Sequence, residues 1–273
     1  MEDRLVEKEH SQGWHPARQR LSALLSEEAY LEFVRALRAH PPYTDPDGLT
    51  TRGGVALSTE TLAEVRNAPN DAGAVYALGA EIWAEEGGET EGIVVLGRAV
   101  ELGSVAAVAA LGESLHWMGD DERAVPLLRN AVGHATTRSP RLEGLLGEAL
   151  LRTGKSDEAE PLLQSSSGAH AEFGLSLAKI RLQAGRREEA REILERATAE
   201  DVYGAALLLG NLLDEDGEVD AAISAYRAGI AHGDAHSAYN LGVLLLGRGD
   251  QEEARMAFDV ARSMGDLTLP PAL

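Results

Sequence analysis

His232 and His236 stand four residues apart, the spacing that puts two imidazoles on one helical face for a metal ion. Gly233 and Asp234 fall between them and interrupt the helix, so the one-face geometry fails. The stretch GLTTRGG, Gly48–Gly54, is as glycine-rich as a phosphate loop but lacks the lysine and the helix start that complete one. Ser165, Ser166 and Ser167 have no base at a defining spacing, His10 and His15 lie in unpatterned sequence, and no His-Glu-x-x-His occurs. Cysteine is absent, which excludes disulfides and thiolate metal sites. No catalytic, cofactor or metal constellation emerges, so the chain reads as non-catalytic.

The elements that would have to position any site are amphipathic helices in a repeat. A Leu-Gly pair recurs at Leu78-Gly79, Leu111-Gly112, Leu146-Gly147, Leu209-Gly210 and Leu241-Gly242, with Leu177-Ala178 in the same place in the fourth copy. Seven residues beyond the second member comes a glycine: Gly119, Gly154, Gly185, Gly217 and Gly249, with Gly87 one residue late in the first copy. After it a small, a large and a second small residue follow at i, i+4 and i+7, as in Ala222, Tyr226 and Gly229 or Ala254, Phe258 and Ala261. The glycine lets one helix end and the chain reverse, and the small residues let the second helix lie close on the first. A single pair cannot bury such a face, so the pairs must stack. The expected fold is an all-α solenoid of antiparallel helix pairs, with six copies over residues 71–266 and a short tail over 267–273.

Residues 1–70 read differently. Leu21, Leu24 and Leu25 and then Tyr30, Leu31, Phe33, Val34 and Leu37 give helical stripes that Pro41-Pro42 must stop. Residues 41–57, rich in Pro and Gly, read as a long connection without regular structure. Thr61-Leu-Ala-Glu64 fits a capping box and predicts a short helix through Val65.

Charge is uneven. The chain of 273 residues carries net charge −20, with 11 acidic against 8 basic side chains in residues 1–70 and 34 against 17 in residues 71–273. Such a field repels nucleic acid and anionic lipid and favours cationic partners. No apolar run reaches the ~20 residues that span a bilayer, and the first residues lack an apolar signal core. A cytoplasmic protein is expected.

The Leu-Gly pair, the turn glycine and the small–large–small series resemble the tetratricopeptide repeat family over about seven-tenths of the chain. The turns between copies, Glu101-Leu-Gly-Ser104, His232-Gly-Asp234 and Met264-Gly-Asp266, look more like the related Sel-like repeats. The resemblance implies a right-handed superhelix whose first helices line a concave groove. Ligands would then meet positions one, four and five after the Leu-Gly glycine and three before it. Those positions include Tyr76, Trp83, Glu113, His116, Trp117, Glu148, Arg152, Lys179, Asn211, Asp214, Glu215 and Tyr239, with Val243 and Leu246 in the last copy. Two of three tryptophans fall there, and the polar members are mostly acidic. The Lys and Asn pair by which many members grip a C-terminal carboxylate is missing.

Met256, Val260 and Met264 replace Ser224, Ala228 and His232 of the preceding copy, an apolar stripe at i, i+4 and i+8 on the last helix. Self-association there, or its cover by Leu267, Leu269 and Leu273, is expected of an exposed apolar face. The function expected from all this is an adaptor that binds a basic or amphipathic protein or peptide. The alternatives are a self-associating regulatory protein whose N-terminal segment occludes the groove, and an enzyme or enzyme subunit with a site near Trp14, His15 and Trp83.

Overall fold

The computed structural model describes residues 49–50, 56–57, 59–68, 70–84, 89–135 and 138–265, and the N-terminal helices and the C-terminal tail expected above lie outside them. Leu49–Thr50 (β1) and Ala56–Leu57 (β2) pair antiparallel, with Leu49 opposite Leu57 and Thr50 opposite Ala56. The stretch read as wholly irregular thus holds a minimal ladder. All other described elements are helices.

The chain divides into two compact units at Arg138–Ser139. The first holds α1 (Thr59–Asn67), α2 (Ala72–Ala84), α3 (Glu89–Glu101), α4 (Val105–Trp117) and α5 (Asp121–His134). Helix α1 starts before the predicted box, so Thr61 is a helix residue rather than its cap. Val65 of α1 is buried with Val75, Leu78, Ile82, Val94, Val95, Ala99 and Ala107. The second unit holds α6 (Pro140–Arg152), α7 (Ser156–Ser166), α8 (Glu172–Gln183), α9 (Arg187–Ala199), α10 (Ala205–Glu215), α11 (Val219–Ala231), α12 (Ala235–Arg248) and α13 (Gln251–Ser263). Each unit is a stack of antiparallel pairs: α2 with α3 and α4 with α5, then α6 with α7, α8 with α9, α10 with α11 and α12 with α13. This is the all-α helical-repeat solenoid class.

Within each pair, the glycine of the first helix receives the large residue of the second. A Cβ at Gly210 would sit 2.5 Å from the Tyr226 ring, at Gly242 2.6 Å from Phe258, at Gly147 2.8 Å from Leu163 and at Gly112 3.0 Å from Leu128. The fourth copy has Ala178, and its partner Leu194 is smaller than Tyr226 or Phe258. Turn geometry follows the expected device. Gly217 takes φ +77°, its N–H donates to Asp214 O, and the next N–H, from Glu218, reaches back to Leu213 O at 2.8 Å. This is the left-handed C-terminal cap that lets the chain reverse in two residues.

The link between pairs uses the same glycine device and adds a cap. After Gly233 (φ +82°), Asp234 accepts from the His236 N–H at 3.0 Å and the Ser237 hydroxyl at 2.6 Å, and is 3% exposed. Ser104 caps α4 in the same way after Gly103. His232 and His236 therefore diverge: His232 lies 3.2 Å from Asp201, and His236 3.8 Å from Asp234.

Stacking faces change along the second unit. Arg187 and Arg191 of α9 reach forward to the next copy, Arg187 to Asp216 (2.7 Å) and Glu215 (3.0 Å), and Arg191 to Glu218 (2.5 Å). At the matching place α11 presents Ile223, which is buried with the core of the second unit. On α13 the residues equivalent to Ile223 and Ile230 are Arg255 and Arg262, exposed and paired within their own helix to Glu252 (3.3 Å) and Asp259 (2.7 Å). The forward face of α13 is thus polar where that of α11 is apolar. The apolar stripe of this helix is not its stacking face, because Ser224 and His232, the counterparts of Met256 and Met264, are exposed in α11.

The ring–glycine fit yields a test. Gly242→Ala should cost about 1–3 kcal/mol by overpacking against Phe258. Adding Phe258→Leu, which reproduces the native Ala178–Leu194 solution, should recover part of that loss. Urea unfolding of the two single variants and the double variant measures the non-additivity.

Candidate functional site

In residues 139–265 the first helices meet at seams. Helix α6 packs on α8 and α10 on α12, while α8 and α10 are held mainly through α9, which packs on both. Two seams are tied by side chains one residue after the Leu-Gly glycine, each bonded to the residue two before that glycine in the next copy. Ser176 donates to Glu148 at 2.7 Å, and Asn240 donates to Asn211 Oδ1 at 2.7 Å. Between them, Lys179 occupies the first position and Leu208 the second, and that seam has no such bond.

Tyr226 shows how the second helix reaches this surface. Its ring lies against Gly210, and its hydroxyl donates to Asn211 Oδ1 at 2.9 Å. Asn211 Oδ1 therefore accepts twice, from Tyr226 and from Asn240. Burial first, and then the negative charge of Asp214, push the Tyr226 phenol up to about 12, although Asn240 pulls it the other way.

The predicted groove residues divide by what already holds them. Glu148 is bonded to Ser176, Asn211 to Tyr226 and Asn240, and Glu215 to Arg187, so the expected acidic lining is largely committed to holding the copies together. Arg152, Lys179 and Asp214 are exposed. The side chains of Lys179 and Asp214 have no hydrogen-bond or ion-pair partner among the described residues. Tyr239 is half-buried, with its ring edge-on to Phe258 at 5.8 Å. Val243 and Leu246 are exposed at 49% and 41%. Sequence position singled them out, but only their exposure separates them from Leu151 and Leu182, the half-buried counterparts of Leu246.

In the first unit, Tyr76 is half-buried against the Val65–Leu78 cluster. Trp83 and Glu113 are also half-buried, and Trp83 lies over Gly92, where a Cβ would come within 2.9 Å of its backbone. Trp117 is 57% exposed. His116 corrects the expectation that it faces a ligand. Its imidazole is 3% exposed and lies 2.5 Å from Asp121, itself 7% exposed. The pair joins the last turn of α4 to the first turn of α5, where helix dipoles favour a cation and an anion respectively. The signal available in the sequence was the five-residue separation across a glycine turn, which sets the two side chains opposite each other.

Other polar clusters are structural. Arg181, buried, is held by Glu160, Gln164 and Glu189. A small crevice between the links that precede α10 and α12 is lined by Thr198, Asp201, Tyr203, His232 and Asp234 among others. No group of three or more His, Asp or Glu side chains placed to hold a metal occurs among the described residues, and none of their helices is long and apolar enough to cross a membrane.

Models described as tetratricopeptide repeat match residues 140–165, 175–235 and 207–266. These matches and the stacked helix pairs support the tetratricopeptide repeat family for residues 140–266. The solved structure of pilF from Pseudomonas aeruginosa shares 22% identity, covering 70% of this chain and 91% of that one, with a TM-score of 0.59. MamA residues 41 to the end from Desulfovibrio magneticus RS-1 shares 17% identity over 61% of this chain and 97% of that one, with a TM-score of 0.50. At these identities the likeness shows the tetratricopeptide fold alone. No curated protein matches the chain.

Two outcomes are expected from these geometries. His116→Ala removes the imidazole that bonds the buried Asp121 carboxylate and should lower stability by about 1–3 kcal/mol in urea unfolding. The raised Tyr226 pKa adds stability that is complete below pH 10, the ordinary phenol value, and lost as pH climbs from there towards 12. Tyr226→Phe should remove this Tyr226-linked loss, read from thermal unfolding across that window.

Proposed function

We propose that the chain is a non-catalytic adaptor that holds a protein or peptide segment along the first helices of residues 139–265. The observation that carries this reading is the exposure of Val243 and Leu246 on α12, beside a seam whose polar groups are fixed by Tyr226 and Asn240. Apolar side chains held open on a rigid helical face supply an anchor, and the bonded seam supplies orientation. Protein interaction is what this fold serves in general. The excess of acidic residues in 71–273 supports a partner that is cationic overall or amphipathic, and argues against nucleic acid. Affinity purification of the tagged chain followed by mass spectrometry, repeated with Val243→Asp/Leu246→Asp, tests it. Partners should be lost from that variant with helicity unchanged, and retention of every partner overturns the groove.

A second reading is favoured by the last helix, where Met256 is 56% and Met264 39% exposed with Val260 half-buried between them. On this reading the stripe is the contact between two copies in a homodimer. Sedimentation velocity should then show a dimer that Met256→Glu/Val260→Glu converts to monomer. A wild-type monomer rejects it.

A further inference from the structure

Lys179 and Asp214 share an oddity on the α8–α10 seam. The arginines around them are held: Arg181 by Glu160, Arg187 by Glu215 and Asp216, and Arg191 by Glu195 and Glu218. Lys179, one of three lysines in the chain, has no carboxylate of the described residues within ion-pair distance despite the acidic surroundings. It stands where the neighbouring seams carry Glu148 and Asn211, each bonded across to the next helix, but its own counterpart across the seam is Leu208. Asp214, on the next first helix, is likewise exposed, with no side-chain partner among the described residues, although Glu215 beside it is bound by Arg187. Between these charges, Asn211 has its carbonyl oxygen doubly occupied, and its amide N–H groups have no partner among the described residues. Beyond Asp214, at the same position one copy on, stands exposed Leu246.

Resting on the adaptor reading above, we infer that this face reads an extended peptide carrying an acidic residue for Lys179, a basic residue for Asp214 and an apolar residue for Leu246, in that order along the array. Opposite charges on the partner match the two unpaired ones and fix its register. The Asn211 amide donates to a main-chain carbonyl between them. Repeat order fixes the order of the three recognised residues, in either chain direction.

The test uses a displayed random-peptide library selected against three proteins: the full wild-type chain, Lys179→Glu/Asp214→Lys, and Val243→Asp/Leu246→Asp. Wild type should enrich an acidic and a basic residue at one fixed spacing with an apolar residue beyond the basic one. The charge-reversed variant should enrich the same spacing with the two signs exchanged. A synthetic wild-type consensus peptide should bind the charge-reversed variant at least about tenfold more weakly and regain affinity when its own charges are exchanged. If peptides enriched by wild type fail on Val243→Asp/Leu246→Asp but keep one consensus on the charge-reversed protein, the groove stands and this inference falls. Peptides that bind all three proteins alike, or no enrichment by wild type, overturn the adaptor reading and the inference with it.

Discussion

The fold depends on one contact, repeated: a large side chain from the second helix of a pair set against a residue without a Cβ, or with only a methyl group, on the first. Where Tyr226 meets Gly210 or Phe258 meets Gly242, an added carbon has no room. This close approach sets the separation of the helices in each pair, and so the outline of the surface offered to the next pair. The turn glycine and the capping residue of the next helix then restrict the connection to a reversal of two or so residues. Hydrophobic burial drives the stacking, but these small residues decide its spacing.

That contact also links packing to the candidate site. The Tyr226 ring is core and its hydroxyl reaches the seam between first helices, so the orientation of Asn211 and Asn240 follows from the fit of an aromatic ring over Gly210. Asn211 is held in one orientation before any partner arrives, which lowers the ordering cost of binding. The side chains of Lys179 and Asp214 lack such holders among the described residues. The surface thus combines a rigid polar point, an apolar patch and two charges that no described residue pairs.

The architecture was legible in the sequence because it rests on spacing, and glycine, alanine and leucine at fixed intervals report backbone approach directly. The pairs beginning at Leu111-Gly112 through Leu241-Gly242 and the positive-φ turns at Gly119 through Gly249 all stand where that spacing put them. The candidate site was only half legible. Position in the repeat placed Asn211, Asp214 and Val243 on one surface, but could not tell which polar groups are committed to neighbours. Glu148 and Glu215 read as acidic lining, and each holds a residue 28 positions away in the chain. His116 was misread for a related reason: its partner Asp121 lies across the turn, and a rule based on the first helix alone does not see it. The stripe on α13 was legible as exposed apolar surface, but not as lying apart from the stacking face, which depends on the burial of Ile223.

The division at Arg138–Ser139 carries an optical consequence. Trp14, Trp83 and Trp117 all belong to the first unit, whereas Tyr203, Tyr226 and Tyr239 are the aromatic chromophores with a hydroxyl in the second. Indole emission excited at the red edge of the near-ultraviolet band therefore reports one unit only. The native tryptophans thus label one half of the chain.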